Sequence, residues 1–136
     1  MTGGVDLQKR RRLLETIASQ PPDEALVTID QFFDGNDDLG SIGCNLAPHP
    51  GLHVFRETLK MLEARRDVSG VWIEIYDTDE GDWPSSETVL VCGEIPLEVL
   101  AEIALPIAPS EVRMLEPSRR SAGRRLTGEV KVLWWD

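Results

Sequence analysis

Cysteine is scarce: Cys44 and Cys92 are the two in the chain, far apart in sequence. That excludes a disulfide scaffold and fits a reduced setting. Histidine is as rare, with His49 and His53 alone, which leaves few neutral metal ligands or general bases. No apolar run approaches the roughly 20 residues that a membrane helix needs. Met1–Asp6 carries no basic-then-apolar signal region, and Lys9-Arg10-Arg11-Arg12 comes too late and is followed only by Leu13 and Leu14 before Glu15. A cytoplasmic protein without a membrane segment is therefore expected. Neither G-K-[ST] nor G-x-G-x-x-G occurs, so the glycine-rich phosphate cradles are missing. Ser41 has no Gly-x-Ser-x-Gly elbow around it. No cofactor is implied.

What is present is acid. The net charge is −10 over 136 residues. It is uneven: from Pro21 to Ala104 there are 18 acidic against 4 basic residues, a net −14, while the flanks together carry +4. Such a body repels phosphate backbones, so no nucleic-acid partner is expected. It attracts basic proteins and speeds their encounter, although charge of this kind also serves solubility alone. The size fits one domain, 1–136, large enough to bury a core without staples. Hydrophobic content of 41% with 28% charged residues fits a globular chain.

In order, Val5 to Ser19 reads as a helix with Leu7, Leu14, Ile17 and Ala18 on one side and Asp6 as cap, stopped by Pro21-Pro22. Ala25 to Phe33 reads as a strand. Asp34 to Gly40 then makes an acidic hairpin tip, and Ser41 to Leu46 returns as a short second strand. Pro50 to Arg66 is the clearest helix, with Leu52, Phe55, Leu59 and Leu62 in one stripe. Val71 to Tyr76 alternates strictly, with Val71, Ile73 and Ile75 on one face. After the acidic turn Asp77–Pro84, Glu87 to Cys92 pairs back. Pro96 to Ala104 is a short helix with Pro96 at its first position. Glu111 to Leu115 is a brief strand, 117–128 a basic mobile segment, and Glu129 to Trp135 a last strand whose two tryptophans seal the core or anchor a partner. The pattern predicts an α+β fold: a mostly antiparallel sheet of four to five strands with two or three helices on one face. The strand–helix–strand–strand–helix–strand subset is the ferredoxin-like order.

The acidic turns are the candidate sites. Asp34, Asn36, Asp37 and Asp38 in the first, with Asp77, Asp79, Asp82 and Trp83 in the second, would meet a basic protein partner, Trp83 as aromatic anchor and the aspartates as steering charges. Asn36 and the aspartates also suit side-chain-to-backbone turns. Chemistry is harder to assemble. Cys44, His49 and His53 give Cys-x4-His-x3-His without the further ligand that zinc needs. Asp77-x-Asp79-x-Gly81-Asp82 fails the calcium-loop pattern at its glycine and at position twelve, Thr88. Gly40-Ser41-Ile42-Gly43 has the G-x-x-G spacing of RNA-binding loops but acidic flanks. No metal ligand set and no catalytic residue is assigned. The rivals are a small metal-dependent hydrolase using the Asp34–Asp38 loop and His49, and a homo-oligomer that pairs through Val130–Trp135.

Phe32-Phe33-Asp34-Gly35-Asn36, Ser41-Ile42-Gly43-Cys44-Asn45-Leu46, His49-Pro50-Gly51, Glu74-Ile75-Tyr76-Asp77 and Trp83-Pro84 resemble a group of small, acidic, uncharacterised bacterial proteins. Their cast is similar to that of immunity proteins of bacterial toxin systems, which are small α+β inhibitors. The resemblance spans roughly residues 25–95. It implies a binding protein without chemistry of its own and assigns no functional residue.

Overall fold

The computed structural model of the chain describes residues 4–21, 24–79, 81–116, 126 and 128–136. Among them lie four α-helices and five strands: α1 (Leu7–Ala18), β1 (Leu26–Val27), α2 (Ile29–Phe33), α3 (Leu52–Glu63), β2 (Val68–Glu74), β3 (Thr88–Gly93), α4 (Leu97–Ile103), β4 (Glu111–Met114) and β5 (Val130–Trp134). The strands form one sheet in the order β1-β2-β3-β5-β4, with every neighbouring pair antiparallel. The class is α+β, as the pattern predicts. The ferredoxin-like order is not formed. A split strand–helix–strand unit places another strand between its two, whereas β1 and β2 pair directly, Val27 opposite Ile73.

Alternation in β2 and β3 turns Val71, Ile73, Val89 and Val91 to one face, where Leu133 of β5 joins them. All four helices pack there, through Leu13, Phe32, Phe55, Leu59, Leu62 and Leu100 among others. Burying such side chains contributes roughly 1.5–3 kcal/mol each. The stripe expected on α3 is buried at Phe55, Leu59 and Leu62. On α1, Leu13 is the buried residue, while Leu7 stands 73% exposed. The other sheet face carries a smaller cluster of Leu90, Cys92, Val130 and Val132, joined by Leu26 and Leu126. Both faces of β3 are thus apolar, and the strand reads as a continuous hydrophobic run.

Three expectations change. The stretch expected as a strand from Ala25 to Phe33 is a two-residue strand followed by a helix. Thr28 starts that helix with a capping box: its side chain accepts the Gln31 N–H, and the Gln31 side chain accepts the Thr28 N–H. The helix buries Ile29, Phe32 and Phe33 together, which alternation across a sheet would not do. Ser41–Leu46 is no strand either. Leu39–Ser41 is a 3-10 turn, and Ile42 makes one isolated parallel bridge to Ser86. Finally, β5 lies between β3 and β4, so it has no free edge for pairing with another copy. Of the two tryptophans expected to seal the core or anchor a partner, Trp135 is buried and donates to the Ile107 carbonyl at 2.7 Å, while Trp134, the last residue of β5, is half-buried. The basic segment at 117–128 falls outside the described residues except for Leu126 and Gly128.

Gly93 closes β3 at φ +130°, and a Cβ there would collide with the Asp67 carbonyl oxygen. Only glycine lets the chain pass so close. Beside it, Lys131 is buried on the helix-covered face and donates to the Gly93 carbonyl and, at 2.7 Å, to the Glu129 carboxylate.

Candidate functional site

The two acidic turns are one surface. The backbone leaves α2 at Asp34 and turns at Gly35, whose φ of +83° suits glycine and whose carbonyl accepts the Asp6 N–H at 2.9 Å. Asn36 spends its side chain inside the loop. It donates to Ser41 Oγ at 2.9 Å and to the Phe32 carbonyl at 3.3 Å, and it accepts the Asp38 N–H at 2.9 Å. Asp38 is the junction. One carboxylate oxygen accepts the Gly40 N–H and the other the Asp82 N–H, both at 3.0 Å. A Cβ on Gly81 would lie 2.8 Å from that second oxygen, so glycine permits the approach of the loops. The Ser86 N–H donates to the Ser41 carbonyl at 2.7 Å and holds the same two segments together further in.

In the second turn, Asp77 accepts the Asp79 N–H at 2.9 Å, a side-chain-to-backbone turn. Ser85 donates to the Asp77 carbonyl at 2.7 Å and closes its base. Asp37, Asp79 and Asp82 remain exposed, with Asp37 also accepting the Gly4 N–H at 3.0 Å. Asp34 sits apart from them. It pairs with Lys9 at 2.8 Å, and that hydrogen bond holds its carboxyl below the ordinary 3.8. Together with Lys9, Arg12 and Asp30 it lines an open groove of about 340 Å³ between α1 and α2.

Trp83 is not a surface anchor. Its ring is 1% exposed and belongs to the main core, and its indole N–H has no hydrogen-bond partner among the described residues. A side chain this large gains more from the core than the turn around it gains by displaying it. Sequence reasoning also missed Lys9 and Arg10. Arg10 donates through Nε to the Asp82 carbonyl at 3.0 Å, 72 residues away. No local pattern signals contacts of that range. The cap at Asp6, which accepts the Gln8 and Lys9 N–H groups, is what sets α1 at this position beside the loops.

The geometry for chemistry is not assembled here. His49 accepts the Gly51 N–H at Nδ1 at 2.9 Å, so its Nε2–H donates to the Ile42 carbonyl at 2.8 Å. Both ring nitrogens are used by backbone, and the ring lies against Phe55. Cys44 and His53 are exposed. Among the described residues no three of His, Cys, Asp and Glu stand where one metal ion could be held. The G-x-x-G run is not an open loop either, because Ser41, Ile42 and Gly43 are buried. No helix among the described residues is long and apolar enough to cross a membrane.

A family model described as the "Uncharacterized protein YfbO family" matches residues 8–126. A relative, "Uncharacterized protein YfbO" of Escherichia coli (strain K12), is 36% identical over 87 residues. That alignment covers 63% of this chain and 62% of the relative, so the chain spans less than two thirds of the relative's length. No solved structure matches the chain. The similarity to small uncharacterised bacterial proteins thus resolves into one family, and the chain belongs to the YfbO family.

Proposed function

We propose that this protein is a non-enzymatic, cytoplasmic binding module whose acidic end receives a basic protein partner. The reading rests on the junction at Asp38, which joins loops 34–38 and 77–82 into one surface with the carboxylates of Asp37, Asp79 and Asp82 turned to water. Asp38, Asn36 and Asp77 shape that surface, Asp34 is tied to Lys9, and Trp83 supports it from within. The three exposed carboxylates would supply steering charge, which acts mainly on the rate of encounter. Leu39, 53% exposed beside them, would supply an apolar contact. An inhibitor of the immunity type is one form such a module would take.

The test is affinity capture from the native host, run in parallel with the wild-type chain and a D37K/D79K/D82K variant. The reading requires a protein retained by the wild type and lost by the variant, with association that slows as salt rises. Equal retention by both would remove it.

A further inference from the structure

We propose that the outer edge of β4 pairs with β4 of a second copy of this chain, in one defined antiparallel register. β4 ends the sheet and has β5 as its one strand neighbour among the described residues. The Leu115 N–H donates to the Val130 carbonyl at 2.8 Å, which fixes the phase of the ladder. Antiparallel alternation then directs the backbone groups of Glu111, Arg113 and Leu115 toward β5 and those of Val112 and Met114 outward. Among the described residues no hydrogen bond outside the sheet ladder engages the Val112 or Met114 N–H, and the Met114 carbonyl receives a long contact from Arg113 Nη1 at 3.4 Å. The strand contains neither proline nor lysine; its guards are its shortness and the charges of Glu111 and Arg113, which limit pairing to a partner of matching charge.

Of the symmetric registers that bring outward groups together, the two centred in the middle of the strand keep most of it paired, and charge separates them. A two-fold axis at Arg113 sets Arg113 directly against Arg113 of the second copy, a repulsive pair. An axis at Val112 sets Glu111 of each copy against Arg113 of the other. It also pairs the two Val112 backbones and lets each Met114 N–H meet the Ser110 carbonyl of the other copy. Glu111 and Arg113 already bond at 3.1 Å within one chain, on one side of the strand, so both are placed for this exchange. The adjoining surface is apolar. Met114 is 43% exposed, Val112 is half-buried, and α4 packs beside β4 with Val99 and Ile103 partly covered. A second copy would cover these residues. The strand is short, so the dimer is weak and concentration-dependent.

Sedimentation equilibrium at low salt, up to about 1 mM protein, tests this with three variants. Wild type is expected to follow a monomer–dimer equilibrium. Glu111→Arg and Arg113→Glu should each raise the dissociation constant about tenfold, and the E111R/R113E double variant should recover most of it. Circular dichroism checks that each variant folds. Amide hydrogen exchange of the wild type, which needs no variant, should show Val112 and Met114 gaining protection as concentration rises. A wild-type monomer throughout the range, a dimer indifferent to E111R, or Val112 and Met114 amides equally exposed at all concentrations would each overturn the proposal.

Discussion

Asp38 and Asp37 are neighbours with opposite duties. Asp38 satisfies two backbone N–H groups on two loops, and Asp37 faces water. Both bonds lie at the surface, where water can replace the lost acceptor, so removing it costs about 0.5–1.5 kcal/mol. Asp38→Ala should therefore lower stability in urea by that amount, whereas Asp37→Ala should stay within about 0.5 kcal/mol of wild type. Equal effects would mean that the loops are not joined through Asp38. Trp83 supplies a second comparison. Trp83→Ala should cost about 3–5 kcal/mol, as a buried aromatic does, whereas an exposed anchor would leave the melting temperature unchanged. That both residues sit in an acidic, glycine-rich turn was legible in the sequence. Their roles were not, because burial and partnership depend on which segment arrives from elsewhere, and Asp82 lies 44 residues from Asp38.

At the scale of elements, α2 is the informative case. Leu26, Val27, Ile29, Phe32 and Phe33 satisfy a strand alternation and a helical turn about equally well over so few residues. Thr28 and Gln31 decide between them, since a threonine followed three residues later by glutamine is a helix start. That signal stood in the sequence and was outweighed by β-branched composition. Thr28→Ala should destabilise the protein by about 1 kcal/mol in denaturant titration. Gly93→Ala should cost more than the Thr28 change, because the backbone at Asp67 cannot yield as a flexible side chain would. A melting temperature unchanged by that substitution would contradict the close passage of β3 against Asp67. The long α3 stripe and the alternation of β2 were readable because each repeats over enough residues to exclude the other period.

Across the whole molecule, ion pairs tie the helices and turns at the surface. Asp30 accepts from Arg56 at 2.9 Å and from Lys60 at 3.0 Å, and these hydrogen bonds hold its carboxyl below the ordinary 3.8. Lys9 does the same to Asp34, and Arg65 to Asp67. In each case the unfolded chain takes up a proton before the folded one. The stabilisation is thus present above about pH 4 and is lost as pH falls through the lower folded values. Stability should drop below pH 4, and Asp30→Asn should flatten part of that drop. Because these groups are exposed, the effect is small and added salt should reduce it. A titration in which Asp30→Asn leaves the acid limb unchanged would show that the α2–α3 pair contributes nothing.

Taken by itself, the sequence determined the α+β class, the α3 stripe, the alternating strands and the concentration of negative charge in turns. Each is a local matter of side-chain period or composition, and local physics suffices to read it. Only the tertiary structure decided that the two acidic turns form one surface, that Trp83 is core, and that β4 rather than β5 ends the sheet on that side. Those outcomes depend on hydrogen bonds and burial between residues far apart in sequence, and no short window contains both partners.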